Sequence, residues 1–345
     1  MTINTQTVKS ITAKSEKNRD ATQTHSDIDT THNDLSKRIA QRADTFWADV
    51  AYTEAPPVPK EMLVEVANIC NHACSFCAYS KMSRPKGILD FDLYKDLIRQ
   101  AYDLGVREIG LYSGAEPLTV KRIADYVVAA KEVGYTYVYI TTNGSLANEG
   151  RLKKLVDAGL DSLKFSINGG DRETYLNVHG ADDFEKVISN LKFVSNYRKE
   201  SGRRMYLAAS FVECDQNRGA FDKLKEIVGP YVDEVFFTIA YNQAGQMDMQ
   251  PPHVFKSVCA VPFARLNISQ EGYLRLCCND YQNFLAAEDL RRMTLKDAWH
   301  STLMREMRNR HLSGNLDETL CHNCMKGTRD LIKPINPALS NLPQI

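Results

Sequence analysis

The 345-residue chain has no excess of either charge: 43 lysines and arginines stand against 43 aspartates and glutamates. That balance leaves no basic footprint for nucleic acid or another polyanion. There is no apolar run near the about 20 residues that a bilayer-spanning helix needs. The N-terminus also lacks the hydrophobic core of a secretory signal. No membrane partner is expected, and the expected compartment is the cytoplasm. Residues 1 to about 45 hold almost no large apolar side chains. Such a segment buries too little surface to offset its ordering entropy and is read as disordered. What the chain does have is nine cysteines, a number that here favours metal ligation in a reducing compartment over disulfides.

Three of them crowd one short polar loop, Cys70-Asn71-His72-Ala73-Cys74-Ser75-Phe76-Cys77. Free cysteine is a commonly buried residue, so a lone one would be read as core packing. Three within eight residues, beside Asn71 and His72, are not core-like. The C-x3-C-x2-C spacing supplies three thiolates, one short of the usual four for a [4Fe–4S] cluster or a structural zinc. An iron left without a protein ligand is free to bind a substrate. His72 is read as a solvated loop residue rather than a ligand.

The segment resembles the signature of the radical S-adenosylmethionine (SAM) superfamily, including the aromatic Phe76 before the third cysteine. The resemblance implies that Cys70, Cys74 and Cys77 hold a [4Fe–4S] cluster whose open iron chelates SAM. One electron then cleaves the sulfonium C–S bond to give a 5′-deoxyadenosyl radical. It also implies an electron donor of flavodoxin or ferredoxin type.

From residue 60 onward, strand-like and helix-like segments alternate. The strands are expected at Met62–Ala67, Glu108–Tyr112, Tyr137–Thr141, Ser162–Ile167, Met205–Val212 and Glu234–Ile239. The intervening helices are expected near Asp92–Asp103, Val120–Val133, Glu149–Ala158, Phe184–Lys199 and Ala220–Val228. Gly105, Gly134, Gly159, Gly202 and Gly229 punctuate their ends. A further helix is expected around Leu35 to Val50, broken by Ala55-Pro56-Pro57-Val58-Pro59. Alternation of this kind gives an α/β fold with a parallel sheet. It fits a doubly wound sheet as well as a barrel. The family resemblance favours a partial (β/α)6, TIM-like barrel with its site at the C-terminal strand ends.

The loop after the second strand, Ser113-Gly114-Ala115-Glu116-Pro117, resembles the family's Gly-Gly-Glu-Pro motif, with Ala115 in place of the second glycine. The resemblance makes Gly114 and Glu116 contacts of the methionyl amino group. Thr141-Thr142-Asn143-Gly144 and Ser166-Ile167-Asn168-Gly169 resemble the family's motifs at the next two strand ends. Asn143, Ser166 and Asn168 are thereby implied in SAM binding, with Phe76. Each is equally readable as a turn, asparagine tolerating the left-handed region. Asn217 is a further polar candidate, and His179-Gly180 receives no role.

The C-terminal part carries Cys259, Cys277-Cys278 and Cys321-His322-Asn323-Cys324. Between them Ile268–Cys277 reads as a hairpin turning at Glu271-Gly272, followed by a helix near Leu295–Arg308 with Ala298, Trp299, Leu303 and Met307 on its apolar side. Four thiolates suit zinc and an iron–sulfur cluster alike. The region resembles the twitch domain, a shortened SPASM-type extension, which implies that Cys259, Cys277, Cys321 and Cys324 hold an auxiliary [4Fe–4S] cluster. Cys278 is an alternative to Cys277. The expected division is 1–45 disordered, 46–250 core, 251–332 auxiliary domain and 333–345 tail.

A single auxiliary site is similar to that of radical SAM dehydrogenases of aminocyclitol biosynthesis, which implies oxidation of a secondary alcohol on a sugar- or cyclitol-like substrate. Asp280 and Glu213 are the candidates for the base that such a reaction needs. The alternative is peptide maturation, an epimerisation or cross-link, in which Cys214 or Cys278 returns a hydrogen atom. Residues 1 to 50 are too short and polar for a fused leader-binding domain. Molybdenum-cofactor cyclisation is disfavoured by the final Leu342-Pro343-Gln344-Ile345, which is not Gly-Gly. A non-catalytic zinc or iron–sulfur module is the reading from another class.

Overall fold

The computed structural model describes residues 50–250 and 258–340. The chain divides into Met1–Arg42 and Ala43–Ile345. The expected disordered segment, the expected helix up to residue 49, the boundary near 251 and the last five residues of the tail lie outside the described residues.

Six strands, β1 (Glu61–Val64), β2 (Glu108–Gly110), β3 (Tyr137–Thr142), β4 (Ser162–Ser166), β5 (Tyr206–Glu213) and β6 (Glu234–Ile239), pair in parallel with their neighbours in sequence. The spatial order 6-5-4-3-2-1 never reverses. A doubly wound sheet requires a reversal, the switch point where its ligands bind. Its absence excludes that alternative and leaves the stepwise winding of a barrel-type α/β fold. β1 is buried at every position and β5 over its first six, as central parallel strands are. β6 is the edge, with Phe237 and Ile239 exposed.

The helices α1 (Phe91–Asp103), α2 (Ile123–Val133), α3 (Glu149–Asp157), α4 (Arg172–His179), α5 (Phe184–Glu200) and α6 (Phe221–Val228) fill the crossovers. α1 shows why: Tyr94, Leu97, Ile98 and Ala101 repeat on one buried face, and the Asp90 side chain accepts from Leu93 N to cap it. α4 is absent from the sequence reading. Its signal is the capping box of Asp171 and Thr174 after Gly169-Gly170. Gly229 departs from expectation. Its φ of −50° continues the helix into a 3-10 turn over Gly229–Tyr231 instead of ending it in the left-handed region.

The C-terminal segment is joined to this sheet. β7 (Leu266–Ile268) lies parallel to β1, and β8 (Tyr273–Arg275) and β9 (Ala286–Asp289) follow antiparallel. The expected hairpin is present, turning at Gly272 with φ 89°. After the short α7 (Val261–Ala264), the single helix expected near 295–308 is instead two, α8 (Leu295–Trp299) and α9 (Thr302–Ser313), because Ser301 caps a new start by accepting from Met304 N. α10 (Leu320–Lys326) carries the last cysteine pair. Pairing of β7 with β1 joins the segment that carries the second cysteine set to the sheet that carries the first.

Candidate active site and metal centres

Beyond β1 the chain enters the three-cysteine loop. Cys77 N donates to Cys74 O at 3.0 Å, closing a turn, and Cys70 N donates to the Tyr79 hydroxyl at 2.8 Å. Carbonyls at the end of α4 take two more of the loop's amides: Ala73 N to His179 O and Ser75 N to Val178 O. Asn71 bonds Ser145 and Asn143 beyond β3. The three thiols are half-buried. Burial pushes Cys70 up to about 11, with Cys77 adding to the rise, and pushes Cys74 higher, with Cys77 and Cys70 adding to it. Three thiols in one loop are a soft donor set for a metal centre. That donor set fits a cluster.

His72 is not the solvated residue expected. It is 5% exposed, and its Nδ1 lies 3.3 Å from Nδ1 of His179, which is itself 3.2 Å from Cys74 Sγ. Acceptors fix the other nitrogens: His179 Nε2 donates to Ile167 O at 2.7 Å, and His72 Nε2 faces Asp183 at 3.3 Å. Burial, with His72 adding to it, lowers His179 to about 3. His72, Cys74 and His179 form the one set of metal-ligand atoms within 4.8 Å of one another among the described residues. His179, unassigned from sequence, is thus part of the loop's seat.

Glu116 lies buried between two strand ends. Its Oε1 accepts from Leu118 N at 2.8 Å and Thr142 Oγ1 at 2.7 Å, and its Oε2 accepts from Asn143 N at 2.7 Å. Burial raises its pKa despite these donors. One lone pair of Oε2 stays unassigned, available to an ammonium group. Ala115 has no positive φ, so alanine in the motif carries no backbone strain. A Cβ on Gly114 would lie 2.8 Å from the Tyr281 ring, so close approach explains that glycine. Asn143 accepts from Ser145 N and Oγ. Asn168, at φ 53°, accepts from Val212 N and sits 3.4 Å from His179 Nε2. Asn217 braces the same turn through Asn168 O, Val212 O and Cys214 N. Ser166 is half-buried, its Oγ 3.2 Å from that of Ser210, and Phe76 is half-buried beside Cys77.

In the second set, Cys321 and Cys324 lie one turn apart on α10. Burial pushes Cys259 up to about 12 and Cys324 to about 11, and both also feel Cys278. Cys321 is raised by burial and then by Cys259 and Cys324. The adjacent thiols divide: a hydrogen bond from Cys277, then Arg265 and Arg275, lowers Cys278, while Cys277 is raised by the same bond. Cys277 in turn feels Cys259 and Cys324. Among the described residues no three of these thiols lie within 4.8 Å of one another, so the arrangement is not that of a single tetrahedral ion; as a donor set, four thiols suit a cluster.

Asp280 lies three residues after Cys277. It is 0% exposed, and its oxygens accept from Gln282 N, Phe284 N and Leu285 N. Those amides make it the organiser of the turn into β9, and burial raises its pKa despite them. Glu213 ends β5 half-buried, beside Cys214, whose Sγ is 3.9 Å from Ser75 Oγ in the three-cysteine loop. The two surplus cysteines are therefore divided, Cys214 at the first set and Cys278 at the second. A depression of about 740 Å³ runs along Thr302, Glu306 and Asn309 on α9, and no cysteine lines it.

Sequence reasoning missed the bracket between the two sets. Arg84 donates to Tyr281 O at 2.7 Å, to Glu271 at 2.6 Å and to the buried Glu65 at 2.8 Å, while Arg275 lies 3.6 Å from Glu65. Gln282 accepts from Ser83 N and donates to Lys81 O. The Tyr281 hydroxyl reaches within 3.5 Å of Cys77 Sγ. No local pattern marks contacts between residues about 200 positions apart.

Parallel α/β winding, a three-cysteine loop past the first strand and a C-terminal four-cysteine set define a radical SAM domain followed by an iron–sulfur domain. Family models agree: residues 64–207 match the Radical SAM superfamily, and residues 259–325 match SPASM, an iron–sulfur cluster-binding domain. The latter span begins at Cys259 and ends one residue past Cys324. The radical SAM domain implies SAM and a [4Fe–4S] cluster, and the SPASM domain implies further iron–sulfur binding.

Among curated proteins the chain is similar to a probable GTP 3′,8-cyclase of Saccharolobus islandicus, 28% identical over 173 residues, 46% of this chain and 54% of that one. A probable GTP 3′,8-cyclase of Methanothermobacter thermautotrophicus is 35% identical over 128 residues, 37% of this chain and 41% of that one. The chain spans about half the length of the curated relatives it matches. Its fold is similar to that of BtrN in complex with AdoMet and 2-DOIA, at TM-score 0.55 and 22% identity over 77% of this chain and 92% of BtrN. It is also similar to Streptococcus suis SuiB bound to precursor peptide SuiA, at TM-score 0.61 and 15% identity over 88% of this chain and 77% of SuiB. No helix among the described residues is long and apolar enough to cross a membrane.

Proposed function

We propose that the protein is a radical SAM enzyme that oxidises a secondary alcohol of a sugar- or cyclitol-like small molecule. When bound, the two clusters and SAM supply a radical that takes a hydrogen atom from the carbinol carbon and a place for the electron left once the hydroxyl proton departs. Cys70, Cys74 and Cys77 hold the first cluster. Gly114, Glu116, Asn143, Ser166, Asn168 and Phe76 surround SAM, with Glu116 Oε2 offering its remaining lone pair. Cys259, Cys277, Cys321 and Cys324 hold a single auxiliary cluster of twitch type. Glu213 or Asp280, the two candidate bases, takes the hydroxyl proton. A flavodoxin- or ferredoxin-type protein delivers the first electron.

The observation that carries this reading is the second, four-cysteine set joined to the first through β7 and β1, because a net oxidation needs an electron acceptor as well as a radical source. A second reading, a nucleotide cyclisation, is favoured by the curated relatives named as GTP 3′,8-cyclases, against the expectation drawn from the chain's last residues. Reconstituted protein incubated in D2O with SAM, reductant and, in separate reactions, cyclitols, GTP or a peptide tests both. The expected product is a ketone two mass units lighter, formed with one 5′-deoxyadenosine per turnover. Turnover of GTP alone would select the cyclase. Deuterium at a product carbon of a peptide or sugar, lost with Cys214→Ala or Cys278→Ala, would select an epimerase.

A further inference from the structure

Tyr281 belongs to the auxiliary segment, three residues after Cys278, yet its side chain ends at the other cysteine set. It is 7% exposed, its hydroxyl lies 3.5 Å from Cys77 Sγ, and its ring packs on Gly114. The flanking chain is held from both sides: Tyr281 O by Arg84, itself paired to Glu65 and Glu271, and Gln282 by Ser83 and Lys81. Asp280 gathers the amides of Gln282, Phe284 and Leu285. A phenol fixed this firmly does not reach a sulfur by chance of rotamer. A thiolate that ligates iron has no S–H, so in that state the phenol is the donor.

We infer that Tyr281 is a positioning residue for the cluster on Cys70, Cys74 and Cys77: its O–H donates to the Cys77 sulfur and makes the auxiliary segment a determinant of that cluster's reduction potential. The inference rests on the proposed cluster assignment. Hydrogen bonds to ligand sulfurs draw off negative charge and ease reduction, one of the levers by which proteins set iron–sulfur potentials. The contact also explains why position 114 is glycine in this chain. Any side chain there would push the ring off the sulfur.

Tyr281→Phe deletes the O–H and keeps the ring. EPR-monitored redox titration of the reconstituted protein should show a negative shift of this cluster's midpoint, with iron per chain and the auxiliary midpoint unchanged. The Cys70, Cys74, Cys77 triple alanine variant supplies the auxiliary signal for subtraction. In unmutated protein, deuteron ENDOR after exchange into D2O should detect a strongly coupled exchangeable deuteron that Tyr281→Phe lacks. An unshifted midpoint at full iron content, or loss of iron from the Phe variant, overturns the inference. An unmutated protein holding no more iron than the triple variant overturns the cluster assignment itself.

Discussion

A buried carboxylate is worth what it accepts. Glu116 ties the turn after β2 to the end of β3 through three donors, and removing it strands them without partners. We expect Glu116→Ala to lower the unfolding free energy of the metal-free protein by about 3 kcal/mol, as loss of hydrogen bonds to a buried charged group does, with Glu116→Gln between. Urea denaturation checks this, and unchanged stability would refute the bracket. Glu65 obeys the opposite balance. Burial alone would raise it, but Arg275 and Arg84 hold it below its ordinary 4.5. Its stabilising contribution is therefore present above that pH and lost as the pH falls through the lower folded value. Arg84→Met should cost about 3–5 kcal/mol at neutral pH by leaving a buried charge short of its partner. The gap from the unmutated protein should narrow on titration below pH 4.5. A gap independent of pH would mean packing alone.

At the scale of elements, the Gly114 turn and the Tyr281 loop occupy one space. Gly114→Ala places a methyl 2.8 Å from the ring and should cost about 1–3 kcal/mol, the range for overpacking. In a Tyr281→Ala background the cost should largely vanish, a coupling that a double-mutant cycle measures; additive costs would contradict the contact. The six parallel strands and most helices were legible because their signals are local: apolar period, glycine stops, caps. The three-cysteine loop and the hairpin at Gly272 were legible for the same reason. α4 escaped because its Gly169-Gly170 entry reads as loop. Nothing near Asp280 in sequence announces that three backbone amides will enclose it. Tyr281, Arg84 and the His72–His179 pair depend on chain segments brought together from a distance, which only the fold supplies.

For the whole molecule, the pairing of β7 with β1 turns two cysteine-bearing segments into one assembly. Anaerobic reconstitution should load about eight irons, two [4Fe–4S] clusters. Alanine at Cys259, Cys277, Cys321 and Cys324 should leave about four and retain reductive SAM cleavage while abolishing ketone formation. The most direct test is 5′-deoxyadenosine release from SAM under dithionite, compared between the unmutated chain and the Cys70→Ala, Cys74→Ala, Cys77→Ala variant. Release from the first and none from the second, with about four irons retained on the second, is the predicted result. Equal release from both would contradict the assignment of radical chemistry to the three-cysteine loop.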